Sequence, residues 1–231
     1  MKSYKHLFFD LDRTLWDFES NSAATLSDLY IQFKLENYYP EFKDFHESYR
    51  HYNTLCWDLF LAGKVTKEWL KFHRFFDSLQ QAGNPDEALA QNLSDAYLPI
   101  LGTKNTLFPN TLSTLQYLSG KKYSMHIITN GFAEIQYIKL KNSHINHFFE
   151  TVVTSEEAGY HKPRKEIFAR ALNSVNAKKK ESIMIGDDFE SDIQGAKKFG
   201  IDQVFFNPDK QTAPAKATYE IYDLQQLTTI L

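Results

Sequence analysis

Two aspartates, Asp10 and Asp12, close the first apolar run of the chain, Leu7-Phe8-Phe9. Extended backbone sends alternate side chains the same way, so both carboxylates are expected on one side. Two anions at such range repel by about 4 kcal/mol at an effective dielectric of about 20. A proton, a cationic side chain or a metal must therefore stand beside them. A second acidic stretch, Gly186-Asp187-Asp188-Phe189-Glu190-Ser191-Asp192, follows the apolar run Ser182 to Ile185. Hard carboxylate oxygens suit magnesium, which takes one or two carboxylates plus water and substrate oxygens. Gly186, just before the first acid, is expected to let the backbone approach a ligand closely.

Two further pieces lie between these. Thr129-Asn130-Gly131 ends another apolar run and opens a helical pattern. A hydroxyl with backbone N–H groups at a helix start makes an anion cradle. Lys162-Pro163 offers a cation in a loop, with the proline expected to open the next helix. Each piece alone is ordinary turn chemistry. Four in this order, each closing a predicted strand, point to one site that handles an anion with a metal.

The elements that must position them read as strands alternating with helices. Leu7–Phe9, Met125–Thr129, Thr151–Thr154, Ser182–Ile185 and Gln203–Phe206 are short and apolar, with Tyr219–Tyr222 a weaker sixth. Helical patterns cover Gly131–Lys141, with Phe132, Ile135 and Ile138 on one side, then Pro163–Val175 and Asp192–Phe199, capped by Gly200. This alternation predicts an α/β fold with a parallel sheet and helices on both faces. Residues 17–100 differ: they are helical, rich in Phe, Tyr and Trp, and broken at Pro40, Gly63 and Gly83-Asn84-Pro85. They read as an inserted helical subdomain, with 1–16 and 101–231 as the core. Most of the aromatics are expected to fill the insert's own core.

The stretches DLDRTL, ITNG, KP and GDDFESD, in this order, resemble the four motifs of the haloacid-dehalogenase (HAD) superfamily. The insert after the first motif resembles that superfamily's first-type helical cap. TNGFAEIQYIKLKNSHINHFFETVVTSEEAGYHKP is most similar to the branch containing bacterial pyrimidine 5′-nucleotidases. The resemblance implies a Rossmann-like core with strand order 5-4-1-2-3 and a Mg2+-dependent phosphohydrolase of small phosphomonoesters, with nucleoside 5′-monophosphates as the candidate substrates. It implies that Asp10 attacks phosphorus and that Asp12 serves as acid and then base. It further implies that magnesium is held by Asp10, the Asp12 carbonyl and Asp187, that Thr129 and the Asn130 N–H bind phosphate oxygens, that Lys162 neutralises charge, and that Asp188 and Asp192 support the site. An acid at Asp12 fits phosphatases and phosphomutases rather than dehalogenases. A sugar phosphomutase and a non-catalytic binding protein on the same core remain the alternatives.

Other residues carry less. Arg13 is expected to point away from the site, and the role of His161, beside Lys162, is open. His144 and His147 are spaced for one helix face but lack a third ligand. Cys56 reads as packing, and Lys64, Lys67 and Arg74 as a solvated face. A net charge of −3, with Lys178–Lys180 as the longest basic run, argues against a nucleic-acid polymer as partner. No apolar run is long enough for a bilayer, and the N-terminus does not read as a signal peptide. With one cysteine among 231 residues, the expectation is a cytoplasmic protein, monomeric or dimeric, that meets a small-molecule phosphomonoester.

Overall fold

The computed structural model describes residues 3–83 and 85–231. Met1 and Lys2, read as the approach to the first strand, and Asn84 of the third helix break lie outside the described residues. In chain order the elements begin with β1 (His6–Phe9), α1 (Phe18–Gln32), α2 (Phe42–Leu61), α3 (Lys67–Gln81) and α4 (Glu87–Thr103). There follow α5 (Thr111–Gly120), β2 (Ser124–Thr129), α6 (Ala133–Asn142), β3 (Phe149–Thr154), α7 (Ser155–Ala158) and α8 (Lys165–Ser174). The chain closes with β4 (Ser182–Gly186), α9 (Gly195–Phe199), β5 (Asp202–Phe206), β6 (Tyr219–Ile221) and α10 (Leu227–Ile230). Two compact units result: Met1–Phe18 with Asn105–Leu231, and Glu19–Lys104. The second junction falls beyond residue 100 because α4 runs through Pro99 to Thr103.

The first unit is built on one parallel sheet of order β3-β2-β1-β4-β5-β6. Its first five strands have the expected order, and β6 adds an edge beside β5. Leu7, Phe8 and Phe9 are fully buried, as a strand covered on both faces requires. Phe9 stands level with Ile127 of β2 and Ile185 of β4, so β1 ends one residue before β4 and two before β2. Their loops open on one edge, where parallel sheets place ligands. Beneath that edge Phe8, Ile128 and Met184 pack against Ile167, Phe168 and Leu172 of α8.

Three helix readings need correction. Pro163 does not open α8, which starts at Lys165 with Arg164 as its N-cap; the Lys162–Pro163 peptide is cis. In α6, Ile135 is buried but Ile138 is 44% exposed, while the polar Gln136 and Lys139 are buried. His144 follows α6 with φ 56°, and His147 belongs to a separate short turn, so they share no helix face.

The second unit holds α1 to α4, broken near Pro40, Gly63 and Gly83. Tyr49, Phe75 and Tyr97 form its centre, with ring centroids 5.0–5.6 Å apart. Arg74 is not on a solvated face: it is buried, with its guanidinium 4.4 Å from the Tyr97 ring. Cys56 is buried packing. Trp57, Phe60 and Trp69 are only half-buried. Among the described residues no helix is long and apolar enough to cross a membrane.

One buried base in the sheet ties folding to pH. His126 of β2 is inaccessible and stacked near His6 and Phe8, with the Thr151 hydroxyl 3.1 Å from Nδ1. Burial lowers its pKa to about 4, with Glu150 opposing and His6 assisting. The unfolded ring takes up a proton near 6.5, so its contribution to stability is full above that pH. It is lost as pH falls from 6.5 to about 4, by at most about 3 kcal/mol. Urea titrations across this window should show a loss that is smaller in His126→Asn. Equal losses in both proteins would contradict the assignment.

Candidate active site

Asp10 leaves the end of β1 with its N–H donating to the Ile185 carbonyl at 2.9 Å, and its side chain is buried. Its Oδ1 accepts from Lys162 Nζ at 2.6 Å. The same ammonium, 3% exposed, donates to the Ile128 carbonyl at 2.8 Å and lies 2.7 Å from Asp192 Oδ1. Two hydrogen bonds and this ion pair hold the ammonium. Asn130 holds this lysine in place: its Oδ1 accepts from the Lys162 N–H at 2.8 Å and its Nδ2 donates to the Lys162 carbonyl at 3.1 Å. Thr129 is buried beside it and accepts from the Gly131 N–H at 3.0 Å. The loops after β2 and β3 are thus stitched together before any ligand arrives.

Asp187 follows β4. Thr14 Oγ1 accepts from its N–H at 3.1 Å and lies 3.2 Å from its Oδ1 and 3.3 Å from Asp10 Oδ2. One hydroxyl proton serves both carboxylates, so neither is well satisfied by it. Arg13 does not point away. Its φ is 69°, and its Nε lies 3.4 Å from Asp187 Oδ2, with about half of the side chain exposed. Asp188 does structural work: its Oδ1 accepts from the Ser191 N–H at 2.7 Å and caps a π-helical turn, Phe189–Gln194. Its own N–H donates to Asp192 Oδ2 at 3.1 Å. Gly186 makes room for Asp192 rather than for a ligand, since a Cβ there would lie 2.2 Å from Asp192 Oδ2.

Asp10, Asp187 and Asp192 each present a carboxylate oxygen within 4.8 Å of the others. Burial raises the pKa of all three, and neighbouring carboxylates add to it: Asp12 at Asp10, Asp10 and Asp192 at Asp187, and Asp10 and Asp188 at Asp192. Lys162 opposes the rise at Asp10 and Asp192, leaving Asp192 at about 7; the half-exposed Arg13 opposes it at Asp187. Burial pulls Lys162 down, but the two carboxylates outweigh it and its pKa rises. Three carboxyl groups thus face one buried ammonium and a half-exposed guanidinium in a poorly hydrated place, where ionising all of them needs a further cation. The cluster has hard-oxygen donors of the kind that suit a magnesium ion.

Asp12 turns elsewhere. Its Oδ1 lies 2.5 Å from Lys139 Nζ, and its Oδ2 accepts from Gln136 Nε2 at 3.0 Å. The Lys139 ammonium is 4.3 Å from the Trp16 ring. Gly131 is needed because a Cβ there would lie 2.0 Å from Gln136 Nε2. Sequence reasoning missed Thr14, Gln136 and Lys139. The last two are three residues apart in α6 and share a face, but a polar buried face gives no apolar period to detect. His161 is half-buried, with burial lowering its pKa against Glu156.

Residues 7–206 match the family model described as haloacid dehalogenase-like hydrolase. The chain is 32% identical to HAD-hydrolase YfnB of Bacillus subtilis over 234 residues, covering 100% of this chain and 97% of the relative. It is 29% identical to pyrimidine 5′-nucleotidase YjjG of Escherichia coli, covering 96% of each. It is 31% identical to glyceraldehyde 3-phosphate phosphatase of Pyrococcus furiosus, covering 100% and 94%. The crystal structure of YfnB bound to magnesium superposes with a TM-score of 0.90 at 29% identity, covering 100% of this chain and 99% of that one.

Replacing Lys162 by methionine should leave the buried carboxylates without their shared cation. The expected loss of stability is about 3–5 kcal/mol, read from urea midpoints in magnesium-free buffer. A loss under about 1 kcal/mol would contradict the central role given to this ammonium.

Proposed function

We propose that this chain, which belongs to the haloacid dehalogenase-like hydrolase family, is a magnesium-dependent phosphohydrolase that cleaves small phosphomonoesters through an aspartyl-phosphate on Asp10. The observation that carries this reading is the buried Asp10 carboxylate, gripped at 2.6 Å by Lys162 beside two further acids. A fixed carboxylate at the end of a central strand is a nucleophile that needs only an electrophile and charge neutralisation.

Asp10, Asp187 and the Asp12 backbone carbonyl would hold the magnesium, since Asp192 is committed to Lys162. When bound, magnesium supplies positive charge that offsets the phosphoryl oxygens and the acid cluster. The rest falls to the chain's own groups. Thr129 and the Asn130 N–H receive the phosphoryl oxygens, and Lys162 neutralises Asp10 and the group in transfer. An Asp10 oxygen attacks phosphorus, and the bond to the leaving oxygen breaks as Asp12 gives that oxygen a proton. Asp12 then takes a proton from water; the water oxygen attacks phosphorus, and the bond to Asp10 breaks to release phosphate. Asp188 and Asp192 support this set, through the turn cap and through Lys162 respectively.

Nucleoside 5′-monophosphates, pyrimidine before purine, are the proposed substrates. YjjG is a pyrimidine 5′-nucleotidase by name, and Trp57, Phe60 and Trp69 are the half-buried aromatic side chains proposed for stacking on a base. Stacking contributes about 1–3 kcal/mol per base, roughly a five- to hundred-fold preference. The sugar-phosphate relative marks the competing substrate class.

Asp10→Asn should fold normally and retain less than about one percent of activity toward 4-nitrophenyl phosphate. Higher activity would assign the nucleophile elsewhere. Magnesium at a hundred times its Kd should raise unfolding free energy by about 2.7 kcal/mol, and Asp187→Asn should lose most of that gain. Stabilisation unchanged in the variant would remove Asp187 from the metal site. In a kcat/KM panel, uridine or thymidine 5′-monophosphate should exceed sugar phosphates. A sugar phosphate ahead of every nucleotide by about tenfold would overturn the substrate assignment, because a tenfold preference is about 1.4 kcal/mol in the wrong direction.

A further inference from the structure

We propose that Lys139 and Gln136 are positioning residues that hold Asp12 with its proton-carrying side toward the leaving group. The inference rests on the phosphohydrolase reading above. Both Asp12 oxygens are engaged, Oδ1 by Lys139 Nζ at 2.5 Å and Oδ2 by Gln136 Nε2 at 3.0 Å. Both partners come from one face of α6, so the carboxylate is clamped to a rigid helix rather than to a loop. Without the clamp its repulsion with Asp10 would favour a rotamer turned outward.

The clamp is costly for any purpose other than orientation. Lys139 is 2% exposed and packs its ammonium 4.3 Å from the Trp16 ring and 5.5 Å from the Phe18 ring. Buried ion pairs are often replaced by apolar residues without loss of stability, so packing alone does not call for one here. Gln136 Oε1 is buried with no hydrogen-bond partner. The amide therefore leaves its own acceptor unsatisfied while its donor faces Asp12. Gly131 removes the side chain that would block this arrangement.

Chemistry follows from the donor types. An ammonium and an amide N–H2 only donate toward Asp12. A proton carried by Asp12 must therefore sit on a lone pair that faces neither of them. Asp12 keeps 24% of its side chain exposed, and that open side is where the acid proton is directed. Gln136 and Lys139 spend their donors on Asp12, so the expected effect is on protonation of the leaving oxygen.

The test uses two esters that differ in leaving group, 4-nitrophenyl phosphate and phenyl phosphate, with wild type, Lys139→Met and Gln136→Leu. kcat/KM reports steps up to departure of the first product, so the later hydrolysis of the aspartyl-phosphate does not enter. The 4-nitrophenolate leaves with little help, whereas phenolate needs a proton from Asp12. Lys139→Met should lower kcat/KM for phenyl phosphate at least about tenfold more than for 4-nitrophenyl phosphate, within the range a general acid contributes. Gln136→Leu, which keeps the ion pair, should show the same sign with a smaller difference; it decides the matter if Lys139→Met fails to fold. Equal losses on both esters in a folded variant, or no loss on either, would overturn the inference. Failure of wild type to hydrolyse either ester would overturn the phosphohydrolase reading itself.

Discussion

One ammonium, that of Lys162, is the contact on which the rest of the first unit depends. It reaches Asp10 after β1, the Ile128 carbonyl of β2 and Asp192 in the turn after β4. Three adjacent strand ends are thereby tied to one buried charge. The surroundings serve this placement. Asn130 grips the lysine backbone through both polar atoms, and Gly186 yields its side-chain volume to Asp192. Such a network is favourable only when complete, because each member is buried and each missing partner leaves a bare charge.

The ammonium of Lys162 is well partnered, the carboxylates less so. Asp187 depends on a shared hydroxyl and a half-exposed Arg13, and its pKa lies well above the ordinary carboxylate range. Ionising the acids beside the nucleophile therefore needs a further cation. Asp12 is paired with a lysine of its own. The two aspartates that are neighbours in sequence therefore stand in different electrostatic surroundings: Asp10 fixed as a carboxylate among charges, Asp12 clamped by donors with one side open. Two carboxylates with separate tasks require such a separation.

Much of this was legible in the sequence, for definable reasons. Strands buried on both faces write themselves as unbroken apolar runs, so Leu7–Phe9 and Ser182–Ile185 are plain, whereas the sheet order is legible only through the family resemblance. The acids at Asp10 and Asp187 were conspicuous because charge at the end of such a run has no packing explanation. Three-dimensional closeness was not legible. Nothing local tells that Lys139 meets Asp12, or that Thr14 spans Asp10 and Asp187. The face of α6 was misjudged because apolar periodicity favoured Ile138, whereas an ion pair decided the rotation. Arg13 was misjudged because its left-handed backbone brings the side chain back to Asp187. Gly186 was credited to a ligand although a neighbouring carboxylate fills its space.

The central claim is that Asp10 carries the phosphoryl group between the two halves of the reaction. The most direct measurement quenches the enzyme with acid during steady turnover of 4-nitrophenyl phosphate, treats it with borohydride and maps the peptides. Borohydride reduces an acyl phosphate to an alcohol with loss of phosphate and leaves a free carboxylate unchanged. The account predicts homoserine in place of Asp10, dependent on both magnesium and substrate. An unreduced Asp10 in enzyme that is turning over, or reduction at another acid, would contradict it.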